Sequence, residues 1–326
     1  MLKILNLLFG IISISIILFS ANLYVSVYAQ YNQYYYNTNE NNNSSLINDL
    51  NNIKTILESK VTKLATALQI ASTLPQILQT PNINLIDPNI NGIPDDADID
   101  KRKIARILLD QFNELSSVVF LLNNGDVYFD EPFERQLNLT TNNLSFRDYH
   151  QVVNQTKKTY LSDAIISKAT GRNLAVIATP IMKDNNMIGV LYGTINFNNY
   201  DQFLQTLNLQ NNTRLVIIDK NGVKIGDSNE KETSVSKDSF EMQDQFSNLT
   251  SVKFALNDKV GSISEKFNGK ESQITFLPYD IFQNKRILLL IQSCNIDGNE
   301  SNKYIENNKE INLFNEIIVT KLSIVF

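Results

Sequence analysis

Ser117-Val118-Val119-Phe120-Leu121-Leu122-Asn123-Asn124-Gly125-Asp126-Val127-Tyr128-Phe129 decides how this chain reads. A short apolar strand runs into an Asn-Asn-Gly turn and comes back as a second strand, the signature of a β-hairpin. The same figure returns at 215–227. There Leu215-Val216-Ile217-Ile218 leads into Asp219-Lys220-Asn221-Gly222 and out through Val223-Lys224-Ile225-Gly226-Asp227. Two copies of one hairpin form a weak internal repeat and predict two related α+β units, each built on an antiparallel sheet.

Working outward, each hairpin is followed by further strand signals. For the first unit these are 174–179 and 187–195, joined at Asp184-Asn185-Asn186. For the second they are 261–267, 271–277 and 287–292, with turns at Asn268-Gly269 and Asn284-Lys285 and Pro278 closing one strand. Helical spacing appears at 101–115, where Ile104, Ile107, Leu108 and Phe112 share a face, and at 146–156 and 199–207. Ahead of all of them lies a long helix from Ser45. Its Leu46, Leu50, Ile53, Leu57, Val61, Leu64, Leu68 and Ala71 recur every three or four residues as one buried stripe. Pro75 marks its end or a kink. This is the pattern of a stalk running along a globular body.

Composition removes whole classes of function. The chain has 326 residues, a formal net charge of −5, one His, one Cys and no Trp. An acidic chain has no basic face for nucleic acid. A single His150 and a single Cys294 exclude zinc, haem and iron–sulfur sites made from Cys/His clusters, and a disulfide within the chain. No phosphate-binding Gly-rich motif occurs, and no constellation supports catalysis, so no enzyme activity is expected. Asn-x-Ser/Thr triplets at Asn138, Asn154, Asn211 and Asn248 arise by chance at this Asn content.

The amino terminus predicts export. Lys3 precedes an uncharged stretch from Ile4 to Asn32, dominated at its start by Leu, Ile and Phe. It suits a cleaved signal peptide or an uncleaved membrane anchor over 1–30, and both readings stay open. A polar linker follows over 31–44. The apolar stretch 311–326 is interrupted by Glu316 and Lys321, so no second span and no cytoplasmic output region are expected.

Five segments in register carry a family resemblance: Ser145-Phe146-Arg147-Asp148-Tyr149-His150, Tyr160-Leu161-Ser162-Asp163, Thr170-Gly171-Arg172, Ala178-Thr179-Pro180-Ile181 and Ile188-Gly189-Val190-Leu191-Tyr192-Gly193. In this order they resemble the double Cache (dCache) extracellular sensor domains of prokaryotic chemoreceptors and sensor kinases. The resemblance implies a long helix followed by two PAS-like (Cache) antiparallel-sheet subdomains. The membrane-distal one, with the stalk, would occupy 45–207 and the membrane-proximal one 208–295, leaving a tail over 296–326. It also implies a small-molecule ligand in the distal unit, a role in chemotaxis-type signal transduction, and a homodimer paired through the long helix.

In amino-acid-sensing members an Arg at the position of Arg147 takes the ligand carboxylate, and a planar guanidinium fork suits that task. Register then places Tyr149 for the usual Trp, His150 for a Tyr, and Ser167 and Thr194 where the two acidic residues would stand. The expected ligand-binding set is Arg147, Tyr149, His150, Tyr128, Asp163, Ser167 and Thr194. With hydroxyls in place of carboxylates an ammonium loses its charge partner. The expected ligand therefore carries a carboxylate without an amine, or is uncharged.

A second signal is Asp87-x-Asn89-x-Asn91-Gly92-Ile93-x-Asp95-x-x-Asp98. It sets oxygens at EF-hand-like intervals, with Gly at the sixth position and Asp98 in place of the usual Glu. Calcium held by Asp87, Asn89, Asn91, Ile93, Asp95 and Asp98 is one expectation; a turn capping the next helix is the other. The rival readings of the whole chain are a structural or adhesive cell-envelope protein with no ligand, and a truncated chemoreceptor. A hollow lined by Arg147 and Tyr149 would favour the sensor, and an aromatic plug the structural protein.

Overall fold

The structure is a computed structural model and describes residues 44–171, 173–196, 202–207, 209, 213–229 and 246–293. The expected leader or anchor, the linker up to residue 43, Arg172, Cys294 and the tail lie outside these. So do 199–201 at the start of the expected helix 199–207, of which 202–205 are helical. No helix among the described residues is long and apolar enough to cross a membrane.

The long-helix reading holds. Helix α1 (44–72) buries Leu50, Ile53, Leu57, Val61, Leu64, Leu68 and Ala71. One continuous core joins this stripe to the first sheet through Val118, Phe120, Phe129 and Ile177, and to the second through Leu215, Ile217, Leu288 and Leu290. The helix is thus the shared spine of both units. Pro75 opens a separate short helix, α2 (Pro75–Leu78).

Helix α3 (Ile99–Gln111) corrects the sequence reading in two ways. It stops before Leu115, which is the first residue of strand β1 (Leu115–Leu122). Its buried face is Lys101, Arg102, Ala105 and Leu108, while Ile107 is exposed. The reason is a buried ion pair. Arg102 Nη1 meets Glu131 Oε1 at 2.6 Å, and its Nη2 donates to the Ile93 carbonyl at 2.8 Å. A partnered guanidinium is tolerated in a core where a lone one is not.

The first sheet runs β2 (Val127–Glu131), β1, β6 (Asn186–Asn196), β5 (Asn173–Lys183), β3 (Tyr160–Leu161), with β4 (Ile165–Ile166) also paired to β5. The second runs β8 (Lys224–Asp227), β7 (Thr213–Asp219), β11 (Asn284–Ser293), β10 (Lys270–Ile281), β9 (Gly261–Phe267). Both are antiparallel, and both place the hairpin at one edge with its first strand against the last strand of the unit. Strand β10 continues through Pro278, contrary to the sequence reading, and the turn is Phe282-Gln283, both at positive φ. Counted from the closing pair Ile281–Asn284, Pro278 falls at a non-hydrogen-bonded position opposite Ile287. Its missing N–H faces the side where β9 has already ended, so no ladder bond is lost.

The repeat is exact to the residue in register. In the first hairpin Phe120 pairs with Phe129 and Leu121 with Val127, which leaves Tyr128 as the extra residue of a bulge. In the second, Ile217 pairs with Gly226 and Ile218 with Lys224, leaving Ile225. The turn glycines Gly125 and Gly222 both take positive φ, at 89° and 81°. Each lies against the backbone of a serine, Ser145 or Ser247, so closely that a Cβ would clash. Three residues beyond each serine a helix starts: α5 (Asp148–Thr156) in the first unit and α6 (Thr250–Leu256) in the second. These helices cover the sheet faces turned away from α1.

Candidate functional site

Helix α5 begins directly after Arg147, whose extended backbone (φ −75°, ψ 139°) turns the chain into the helix. Tyr149 lies one residue inside and is driven onto the sheet, where its ring meets Tyr192 of β6 with centroids 5.0 Å apart. Beneath them is a hollow lined by Arg147 and Tyr149, by Ile165, Ser167 and Lys168 at β4, by Tyr192 and Thr194 of β6, and by Asp130 and Arg135. Asp130 comes from β2, and Arg135 from the short helix α4 (Phe133–Leu137) that follows it. The free space is about 30 Å³, enough for about one water molecule.

The electrostatics are uneven. Asp130 is 2% exposed, and burial pushes its carboxyl up to about 7; Arg135 and Arg102 pull the other way. Its Oδ1 has no hydrogen bond, nor has the buried Nε of Arg135, 3.8 Å away. That separation is an ion pair without a hydrogen bond. The hydroxyls of Tyr149 and Tyr192 are bonded to each other, and burial raises both well above the ordinary tyrosine range. Arg147 donates through Nη2 to the Ile166 carbonyl at 2.7 Å and packs over Phe146 at 5.2 Å. The Thr194 hydroxyl is held by Ser116 and Ser117, each at 2.8 Å. Ser167 Oγ accepts from the backbone N–H groups of Ala169 and Thr170.

Of the residues expected from the sequence, Arg147, Tyr149, Ser167 and Thr194 come together in this hollow. Three do not. His150 follows Tyr149 on the helix, a turn of about 100° further round. It borders a separate open groove with Asn123, Asn124, Ser145, Gln151, Asn154 and Gln155. Tyr128 is the bulged residue of β2, so strict alternation fails there. Its ring packs on Phe120 on the spine side, while its hydroxyl donates to Asp98 and accepts from the Asn82 N–H. Burial and the Asp98 hydrogen bond push its hydroxyl up to about 12.

Asp163 is the third, and it belongs to the joint between the units. It accepts from Asn284 Nδ2 at 2.8 Å and meets Lys220 Nζ at 3.1 Å. Around it the backbone of the first unit is tied to side chains of the second. Ala164 N–H donates to Asp219 Oδ2 at 3.0 Å, Asn284 Nδ2 donates to the Leu161 carbonyl at 2.8 Å, and Arg286 donates to the Ser162 carbonyl.

The loop expected to hold calcium folds on itself. Asp87 Oδ1 accepts from the N–H and the side-chain amide of Asn89. The Asn91 amide points to the Leu139 carbonyl, and the Ile93 carbonyl takes Arg102 and Gln136. Asp95 pairs with Arg106 at 2.5 Å and Asp98 with Lys101 at 2.7 Å. Arginine and lysine thus pair with two of the expected ligands, and Asp87 Oδ1 and the Ile93 carbonyl are turned to internal partners. Among the described residues no three His, Cys, Asp or Glu side chains converge.

Sequence reasoning missed Asp130 and Arg135. The signal was present: aligning the two hairpins on Gly125 and Gly222 sets Asp130 and Asp227 at the same offset.

A family model described as a Cache domain (dCache_1) matches residues 26–292. No curated protein matches. Among solved structures, Methyl-accepting Chemotaxis protein X superposes with a TM-score of 0.53 at 12% identity, over 74% of this chain and 93% of that one. The extracellular domain of mmHK1S-Z3 gives 0.50 at 12% identity, over 73% and 89%. An extracellular ligand binding receptor from Desulfohalobium retbaense DSM5692 gives 0.50 at 11% identity, over 73% of this chain and 38% of that one. At such identities the structures speak for the fold, and the family match covers most of the sequence. The chain belongs to the Cache domain family, in its double form with two PAS-like units on one helical spine.

Proposed function

We propose that this chain is the extracytoplasmic ligand-binding module of a sensor, taking a small carboxylate in the hollow of its first unit and performing no catalysis. The observation that carries the reading is a hollow with more basic than acidic lining residues. Partly buried Arg135 and Arg147 and exposed Lys168 line it against the single carboxylate of Asp130, so its lining favours an anion. Arg147 is only partly buried in that lining, so a carboxylate can reach its guanidinium from solvent. An amino acid fits less well, because three cations oppose its ammonium and Asp130 is its one acidic partner. The hollow is smaller than ordinary ligand sites of about 300–1,000 Å³, so entry parts its walls.

Residues 1–30 would tether or export the module. Helix α1, with Ile56 and Ile70 exposed, would carry the signal to a partner protein or pair with a second copy. The reading as an envelope protein without ligand draws on the small free volume of the hollow.

Thermal unfolding of the purified chain against carboxylates, amino acids, amines and purines tests the proposal. A carboxylate at a hundred times its Kd adds about 2.7 kcal/mol of stability through linkage. Arg147→Ala is expected to remove that gain while leaving the unliganded melting point within about 2 °C, as for a surface substitution. Silence across the panel by a well-folded chain favours the envelope protein.

A further inference from the structure

Two polar atoms of the hollow remain unused by a carboxylate held at Arg147. Asp130 Oδ1 is an acceptor without a donor, and Arg135 Nε–H is a donor without an acceptor. They stand 3.8 Å apart, side by side rather than bonded. Each such buried group costs about 1–3 kcal/mol if left unmet. The neighbouring hydroxyls are committed elsewhere, Tyr149 with Tyr192 and Thr194 with Ser116 and Ser117.

The second unit provides an internal control. Asp227 occupies the position of Asp130 on the equivalent strand, paired across to Val216 as Asp130 is to Val119. There the carboxylate is saturated. Arg214 donates through Nε at 3.0 Å and through Nη2, and Lys224 lies at 3.4 Å. Arg214 stands opposite Ile291 as Ser117 stands opposite Thr194, so in the first unit a serine occupies the place of the partnering arginine. Where this strand position serves the fold alone, its carboxylate is fully bonded; in the hollow it is left open.

We propose that the inner end of the ligand is a group with an acceptor and a donor side by side, a carboxamide or a hydroxyl, seated between Arg135 Nε–H and Asp130 Oδ1. This rests on the reading of the hollow as a carboxylate site. The other common end groups each fail one partner. With Asp130 ionised, an ammonium satisfies it but confronts Arg135, a second carboxylate satisfies Arg135 but confronts Asp130, and a methyl group serves neither.

The test is calorimetric titration of the full chain at pH 8.5, where Asp130 is ionised, with a matched series sharing one carboxylate: succinamate, 4-hydroxybutyrate, succinate, 4-aminobutyrate and butyrate, each repeated one methylene shorter and longer. Succinamate or 4-hydroxybutyrate, or its shorter or longer homologue, is expected to bind at least about tenfold more tightly than the ammonium, dicarboxylate and methyl members. Asp130→Asn turns the acceptor into a donor and is expected to switch the preference to the dicarboxylate. Arg135→Met is expected to bring the carboxamide and methyl members within about threefold of each other, with the helical and sheet signal unchanged. Butyrate or 4-aminobutyrate binding as tightly as succinamate overturns the inference and leaves the carboxylate site standing. So does an unswitched Asp130→Asn that folds normally. No binding by any member at any length overturns the carboxylate reading itself, and the inference with it.

Discussion

The two units share strand order, bulge, turn glycine and helix start, yet one keeps a polar hollow beneath its helix and the other is filled. Register makes the comparison residue by residue. Arg147 precedes α5 where Leu249 precedes α6, and Tyr149 corresponds to Ser251. Tyr192, opposite Val119, corresponds to Leu289, opposite Val216; Thr194 corresponds to Ile291. The second unit fills the equivalent space with Phe246, Leu249, Phe267 and Phe276. Both arrangements fold, so the hollow is not a demand of the architecture. It comes from a handful of positions where the first unit exchanges apolar side chains for groups able to hold a charge.

The largest effect expected from breaking this comparison is at Asp227. Asp227→Ala strands the Arg214 guanidinium and should cost about 3–5 kcal/mol in urea unfolding, the usual price of breaking a buried pair. Asp130→Asn, at the matching position, should instead raise stability at pH 7, because no made hydrogen bond is lost at Oδ1 and a buried carboxylate no longer has to carry its charge there. Equal costs would erase the distinction between the two carboxylates.

Their pH dependence should run in opposite directions. Unfolded, Asp130 ionises near 3.8; folded, burial holds it near 7. Between those values the folded chain keeps the extra proton, so stability falls as pH rises from about 4 to about 7 and is level above. The fall is on the order of 2–4 kcal/mol, and Asp130→Asn should abolish it. At Asp227 burial raises the pKa, but the hydrogen bond and charge of Arg214 outweigh it, and the carboxyl lies below its usual value. Its contribution is present above pH 4 and is lost as pH falls through the lowered pKa. Melting curves of wild type and both variants from pH 3 to pH 8 separate the two slopes (about 4 and 7 being the turning points for Asp130).

The smallest effect is expected at the ring pair. Tyr192→Phe removes one hydroxyl of a bonded pair and should cost about 1 kcal/mol. Leu289→Val at the matching site removes a methylene and should cost about the same, through packing alone. Only the first substitution should alter carboxylate binding.

The legible parts of the fold were those with a clean period. The α1 stripe and the two hairpins follow directly from side-chain spacing and from turn residues that need positive φ. The hollow was half legible. Arg147 and Tyr149 stand two positions apart in one of the five segments and follow from the resemblance. Asp130 is hidden because the bulge at Tyr128 breaks the alternation counted from Val127, and Arg135 because it lies beyond the strand on α4, where strand alternation says nothing. That break sends Tyr128 to the spine side and Asp130 to the ligand side, the reverse of what counting from Phe129 through a regular strand would give for Tyr128. Lys101 and Arg102 misled in another way. Their burial depends on Glu131, Asp98 and the Ile93 carbonyl, partners that helical spacing does not display.

The tie at Ala164 has a mechanical side. Ala164 is fastened to Asp219 of the second unit, and Ser167 forms the wall of the hollow. Two residues, or three steps of chain, lie between anchor and wall, at most about 11 Å when fully stretched. A tether that short carries almost no slack. When the wall is pushed outward, the displacement is either absorbed by breaking the Asp219 bond or delivered as a pull on the end of β7. The segment is therefore placed like a strain gauge, mounted between the two units.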